Sequence, residues 1–354
     1  MNDKLNNNKI AVMGHICLDL YPSIKNIADI DFVPGKLSEI GPCSCSPGGA
    51  VGNTGLVLEK LGIPVKLLAK IGDDSLGETL SSFFTNLPPD AQKHIVAVEG
   101  NTAYSIVINP EGHDRMFLAY RGVNDQICYN DLTDDFIEDT AILHFGYPPL
   151  CKTIAENNGN ELKKIFRYVQ DKGIITSLDM SLPSPGSSSE KINWLNFLKN
   201  VMPQTDIFLP SIDELLFMFK AKYSNITEAL DTYSKQLLDW GAAVIVIKLG
   251  SDGFYVRTTT SSSRINCLKY LLSENVDNWR NKKFSVPCYK VKVKGTTGAG
   301  DATIAGFLSG MLNGFTIEKT AQIATGVGAL CVTQHDATSG ITPLEDIIEK
   351  VHNQ

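Results

Sequence analysis

The sequence predicts an α/β fold with a mainly parallel central sheet and helices on both faces, and three observations carry that reading. From about residue 141 onward, apolar runs rich in β-formers alternate with helical ones: Ala141 to Phe145, Glu161 to Gln170, Gly173 to Leu178, Trp194 to Asn200, and Asp206 to Leu209. This is the pattern of βαβ units. Two glycine-rich turns, at Gly48-Gly49 and at Gly298-Ala299-Gly300, each open a periodic helical run. Finally, 354 residues with a 43% hydrophobic share can bury a sizeable core, either as one large domain over residues 1–354 or as one domain with a small appendage.

Taken in order, Ile10 to Gly14 reads as a short buried strand running into His15-Ile-Cys-Leu-Asp19. Ligands of open α/β sheets collect beyond strand ends, so Asp19 is well placed to meet one, while His15 reads as a loop residue. Residues 20–47 lack a clear period and are rich in Pro, Gly and Ser, which suits irregular chain or the edge strands of a small lid. Pro47-Gly48-Gly49-Ala-Val-Gly52-Asn53 opens a helix that runs to Leu61 and is ended by Gly62. Gly48 and Gly49 let a substrate approach the backbone, and Asn53 can donate to and accept from vicinal hydroxyls. A turn with plain helix packing competes with that use.

Val65 to Ile71 is a strand, and Asp73 and Asp74 after it read as turn and cap formers. Tyr104 to Asn109 and Arg115 to Tyr120 flank Pro110-Glu-Gly-His-Asp114 as a hairpin and lid candidate. Pro183 to Ser189 is a surface loop too short to link domains. His144 and Asp179 end predicted strands, a position that can face the cleft, and neither is assigned a role. Ala242 to Leu249 is a strongly apolar strand leading into Gly250-Ser-Asp-Gly253, where a hairpin turn is the plain reading. Residues 258–283 begin with a Thr/Ser run and read as a long polar surface insertion. Ile317 to Cys331 is a helix studded with Ala and Gly.

A net charge of −7 argues against a nucleic-acid or anionic-membrane surface, and no apolar run approaches a membrane span. The polar start Met1-Asn-Asp-Lys shows no signal peptide. Eight scattered cysteines without a Cys-x-x-Cys pair point to reduced thiols in a cytoplasmic protein rather than to a metal or disulfide framework.

The richest stretch is Gly295-Thr-Thr-Gly298-Ala-Gly300-Asp301, followed by an apolar helical run. A P-loop is excluded, because Asp301 stands where Lys is required. A dinucleotide fingerprint is excluded by Thr303 in place of its last Gly. What fits is an anion hole with a base beside it. The first amides of a helix lack internal partners and attract negative charge, and Asp301 can accept the proton of an attacking hydroxyl. A simple N-cap role for Asp301 competes. Ala302, Ala305, Gly306, Ser309 and Gly310 form a small-residue stripe for close packing.

This segment resembles the C-terminal signature of ribokinase-like sugar kinases, the PfkB family, and the likeness extends over most of the chain. The resemblance implies a three-layer α/β/α sandwich with a small β-lid, here approximately 20–47 and 100–123. It makes Asp301 the catalytic base and the amides of Gly298, Ala299 and Gly300 the anion hole. Gly14 to Asp19 matches a Gly-x-x-x-x-Asp that binds sugar hydroxyls through Asp19. Gly48, Gly49 and Asn53 match the sugar-binding Gly-Gly-x-x-x-Asn, and Asn124, in the segment just after the lid, is a further substrate-side candidate. Ser211-Ile-Asp-Glu214 stands in place of an Asn-x-x-Glu that positions Mg²⁺, keeping Glu214. Lys248, Gly250, Gly253, Thr296, Thr325 and His335 fall on the nucleotide side.

The implied activity is ATP-dependent phosphorylation of a hydroxyl of a sugar or related polyhydroxy substrate, with Mg²⁺ as cofactor and a homodimer through the β-lid. A nucleoside kinase shares every one of these motifs. A non-catalytic sugar- or nucleotide-responsive binding protein on the same fold is favoured by Ser211, Thr325 and Gly295, which depart from the family pattern, and opposed by Asp301 and Glu214. Many members also bind a monovalent cation through an Asp at the position of Gly295, so little activation by K⁺ is expected.

Overall fold

The computed structural model describes residues 8–24, 33–108, 116–222 and 225–352. In chain order its strands are β1 (Lys9–Gly14), β2 (Cys17–Pro22), β3 (Cys43–Gly48), β4 (Val65–Gly72), β5 (His94–Val98), β6 (Tyr104–Ile108), β7 (Met116–Tyr120), β8 (Thr140–Gly146), β9 (Ile175–Asp179), β10 (Ile207–Phe208), β11 (Val244–Lys248), β12 (Phe254–Thr258) and β13 (Lys283–Val286). The main sheet has the order β13-β12-β11-β10-β9-β8-β1-β4-β5. All neighbours from β11 to β5 are parallel, and β12 and β13 are added antiparallel at one edge.

Parallel strands need cover on both faces, and the sequence supplies it by making both faces apolar. Along β1, Ile10 and Val12 enter one core with the helices Gly49–Lys60 and Ala299–Leu312, whereas Ala11 and Met13 enter a second core with the helix Asn160–Asp171. The alternation of side chains along a strand thus produces three layers, helix, sheet and helix. On the helix Asn160–Asp171 the buried residues Leu162, Ile165, Phe166 and Val169 recur at helical spacing, as one-sided packing requires. The helix Ala299–Leu312 is buried over most of its surface against Ile317–Cys331. Its small-residue stripe permits this approach: a methyl group at Gly306 would meet the Cα of Ala324 at 2.9 Å.

A second sheet, β3-β2-β6-β7, stands beside the first. Its strand β2 follows β1 after two residues, and β2 pairs with β3 so that Asp19 lies opposite Ser46 and Cys17 opposite Gly48. Strands β6 and β7 pair as the predicted hairpin, while Asn109, Arg115 and the intervening loop lie outside the described residues, as do 25–32. Asp74 caps the helix Ser75–Ser82 by accepting from the Gly77 amide at 2.8 Å, as a turn and cap former should.

The expectation of a polar surface insertion at 258–283 is corrected. Short helices at Ser262–Asn266 and Lys269–Leu272 place Ile265, Leu268 and Leu272 in the main core, and the following turn adds Trp279. Trp279 is fully buried and donates through Nε1 to the Phe315 carbonyl at 3.0 Å. The Thr/Ser run at its start masked an apolar spacing that begins only at Ile265. Among the described residues no helix is long and apolar enough to cross a membrane, and no disulfide joins the eight cysteines.

Candidate active site

Four neighbouring parallel strands deliver polar side chains to one place. Tyr147 follows β8, Asp179 ends β9, the Ser211–Glu214 turn follows β10, and Lys248 ends β11. The carboxyl edge of a parallel sheet is where such groups gather, because the strands end there and the covering helices begin. Facing this edge is the N-terminus of the helix Ala299–Leu312. Gly298 is its N-cap in the left-handed conformation (φ 73°), and a side chain there would run into Ala337. Ala337 belongs to the loop after Cys331, which therefore packs directly on the turn.

Asp301 is the third residue of that helix, not its cap, so the capping role is overturned. Its carboxylate is 3% exposed and turns toward other elements. Asn53 Nδ2 donates to Oδ2 at 2.9 Å, Thr54 Oγ1 donates to Oδ1 at 3.2 Å, and the Tyr147 hydroxyl lies 2.7 Å from each oxygen. Burial pushes this carboxyl above the usual aspartate range, while the bonds from Tyr147 and Asn53 and the charge of Lys248 pull the other way. In the first turn, the Ala299 amide turns back weakly on the Thr296 carbonyl at 3.3 Å. The amides of Gly300 and Asp301, as first-turn donors, have no helical acceptor.

Lys248 lies against Gly300 and donates to Asp179 Oδ1 at 2.5 Å. Burial alone would lower the Lys248 ammonium, but Asp179, Glu214 and Asp301 together hold it above its ordinary value. Asp179, 2% exposed, and Glu214 are both driven upward by burial and held down in part by Lys248. Glu214 and Ser211 form a reciprocal capping box, Glu214 accepting from the Ser211 amide at 2.6 Å and Ser211 accepting from the Glu214 amide at 3.2 Å. Three carboxyl groups face one ammonium here, all of them pushed upward by burial.

The acceptor-side candidates divide. Asp19 is buried, accepts from the Cys17 thiol at 3.2 Å and from the Tyr21 hydroxyl at 3.4 Å, and lies against Gly48. Gly49 is left-handed (φ 77°) and packs on His15, whose imidazole is kept neutral by burial, its pKa lowered to about 3. Asn53 joins Asp301 directly, a contact that its spacing did not reveal. Asn124 is fully buried, and its amide is taken up by the backbone of Ile16 and Arg121, which ties the start of β2 to the turn Gly122–Gln126. It therefore holds the site together rather than lining it.

On the other side of Lys248, Gly250 and Gly253 both have positive φ in the turn between β11 and β12. Gly253 is required by close packing on the Val286 carbonyl, while the space at Gly250 is open. Thr296 and His335 are exposed next to Gly295. Thr325 is buried with its hydroxyl bonded to Gln322 and Ala321 of its own helix. Tyr147 and Thr54 were not singled out from the sequence, and Asp179, noted at a strand end facing the cleft, was given no role; the signal that could have found Tyr147 is its position just after β8. His144 is fully buried, bonded to Ser177 at 2.9 Å, and held neutral by burial, so it belongs to the core beneath the site.

The model of the pfkB family carbohydrate kinases matches residues 7–344. The chain belongs to this family. As a pfkB-family carbohydrate kinase it is 25% identical over 284 residues to an uncharacterized sugar kinase of Archaeoglobus fulgidus, covering 80% of this chain and 97% of that one. It is 25% identical to the probable fructokinase-5 of Arabidopsis thaliana, over 89% of this chain and 93% of the relative. A 5-dehydro-2-deoxygluconokinase of Clostridium perfringens is 22% identical over 98% and 93% of the two chains. Among solved structures, the fold matches a ribokinase of Thermotoga maritima with a TM-score of 0.70 at 19% identity, covering 98% and 99%. It also matches an Arabidopsis thaliana ribokinase complexed with ribose and ATP, with a TM-score of 0.73 at 17% identity, covering 97% and 98%. The kinase thus has the ribokinase-like three-layer fold and its mainly parallel sheet.

Proposed function

We propose that this kinase transfers the γ-phosphoryl group of ATP to a hydroxyl of a sugar or related polyhydroxy compound. The observation that carries the reading is the buried Asp301 carboxylate, set one residue behind the first-turn amide of Gly300 and beside Lys248. In the step, the acceptor oxygen bonds to the γ-phosphorus as its proton passes to Asp301. The bond from phosphorus to the β-γ bridging oxygen breaks, and ADP leaves with that oxygen. The helix N-terminus and Lys248 face the negative charge that spreads over the phosphoryl oxygens. Asp19, Gly48, Gly49 and Asn53 bind and orient the acceptor; Lys248, Gly250, Gly253 and Thr296 form the nucleotide side, with His335 at its rim.

The residues present fit Mg²⁺. No group of three metal-binding side chains exists among the described residues, but Mg²⁺ commonly keeps its waters and takes one or two carboxylates together with substrate phosphates. Glu214 supplies such a carboxylate, and a divalent cation beside it would favour the ionised forms of carboxyl groups that burial pushes upward. When bound it would neutralise phosphate charge. ADP release measured with pentoses, hexoses, ketose phosphates and nucleosides tests the reading and separates sugar from nucleoside acceptors.

Little or no activation by K⁺ is expected. Gly295 has no side-chain oxygen, and a methyl group there would already meet the Gln334 carbonyl at 2.9 Å, so the loop closes over the place an aspartate would need. Rates in tetramethylammonium buffer with and without K⁺ at constant ionic strength check this; a large saturable activation would reject it. The lid strand β7 is an edge strand with Met116, Leu118 and Tyr120 all more than 40% exposed, and we place a second copy of the chain against it. Light scattering is expected to give a dimer that Leu118→Lys converts to monomer; a monomeric native protein would reject this interface.

A further inference from the structure

Tyr147 has no part in the chemistry described so far, yet it makes the shortest hydrogen bonds to the proposed base. It holds a left-handed backbone conformation (φ 68°, ψ 55°), uncommon for a residue with a Cβ. The buried prolines Pro148 and Pro149 follow it and fix the chain leaving β8. This geometry carries the phenol to Asp301, with its hydroxyl oxygen 2.7 Å from both Oδ1 and Oδ2. A phenol has one proton, so the two carboxylate oxygens share it. Thr54 and Asn53 already take one site on each oxygen. Asp301 is almost wholly buried and Tyr147, which makes its two shortest bonds, is half-buried. An acceptor hydroxyl must donate to Asp301 where the Tyr147 hydroxyl now donates.

We propose that Tyr147 is a positioning residue that occupies the acceptor-hydroxyl place on Asp301 until the acceptor displaces it, and so withholds the base from water. The inference rests on the reading of Asp301 as the base of ATP-dependent transfer. The reaction it suppresses is hydrolysis: a water oxygen bonds to the γ-phosphorus, one water proton passes to Asp301, and the bond to the β-γ bridging oxygen breaks to give ADP and phosphate. With the phenol in place, the attacking water finds no acceptor for its proton. When an acceptor hydroxyl enters, Tyr147 retreats to one carboxylate oxygen and the acceptor takes the other, so the base exchanges one donor for another. Because the phenol bonds to the ionised carboxylate, its loss also moves the base toward higher pKa.

The test is Tyr147→Phe, assayed as phosphate release from Mg·ATP without any acceptor. A rise of about 10-fold is expected, the size of losing one hydrogen bond to a charged group. The acid limb of that rate moves to higher pH, which a merely structural role would not produce, and adding Asp301→Asn abolishes the gain. Should the Phe variant fail to fold, Tyr147→Leu carries the same expectations. Acceptor-free hydrolysis at or below the native rate in a folded variant, or a gain that survives Asp301→Asn, overturns the proposal. If the native protein phosphorylates D-fructose, D-ribose, D-glucose or adenosine while the Tyr147 variants show no rise, the shielding role fails and the kinase reading stands. If neither native nor variant protein releases ADP with or without these acceptors, the reading of Asp301 falls and takes the proposal with it.

Discussion

Asp301→Asn is expected to lower acceptor-dependent turnover by about 10²-fold or more while leaving the fold and ATP affinity intact. The substitution keeps the size of the side chain and removes the group that takes the proton. Stability should not fall, because burial works against the ionised form of Asp301 and a neutral amide avoids that cost. In the native enzyme the same burial sets the pH dependence. The base must be ionised, and its folded pKa lies above the ordinary aspartate value, so kcat/KM should decline on acidification earlier than for an exposed aspartate. Steady-state ADP release from pH 4 to 8, with ATP binding followed by calorimetry, checks both parts; near-normal turnover of the variant rejects the role.

Lys248→Met should have the second-largest effect, on stability and rate together. Removing the ammonium leaves Asp179, Glu214 and Asp301 without their shared counter-charge, and breaking a buried pair from one side costs about 3–5 kcal/mol. The pH dependence identifies the cause. In the variant the folded pKa values of these carboxyls rise further above their unfolded values, so the folded state binds more protons than the unfolded one. Stability is then greatest at low pH and is lost as pH rises from the unfolded carboxylate range through the raised folded values. The deficit against the native protein should therefore be larger at pH 7.5 than at pH 5.5. A pH-independent deficit, measured by urea unfolding at the two pH values, would show that packing alone is lost. The rate should fall about 10²-fold through loss of a cation beside the phosphoryl group.

The parts of the fold legible in the sequence were those governed by local rules. Glycine-rich helix starts at Gly48 and Gly298, the Asp74 cap and the alternation after Ala141 each declare themselves within a few residues. The segment 258–283 differs from its sequence reading because its Thr/Ser run is local while the partners of Trp279, Phe307 and the Phe315 carbonyl, are distant in the chain. The site shows the same division. Asp301, Gly298, Glu214 and Asn53 announce themselves through spacing, but the bonds from Tyr147 and Thr54 to Asp301 span 154 and 247 residues. The first depends on where β8 ends in the sheet and the second on the packing of the helix Gly49–Lys60 against Ala299–Leu312, which no local pattern encodes. Asn124 was misplaced for a related reason: an amide able to bind hydroxyls serves equally well to bind the buried backbone of Ile16.

Phosphoryl transfer by this chain is observed directly by phosphorus NMR of the native protein incubated with Mg·ATP and each member of the acceptor panel. A new phosphomonoester signal is expected for at least one sugar or related polyhydroxy acceptor, formed in equal amount with ADP and abolished by Asp301→Asn. Binding of ATP and of a sugar without any phosphomonoester across the panel would contradict it and identify a binding protein on the kinase fold.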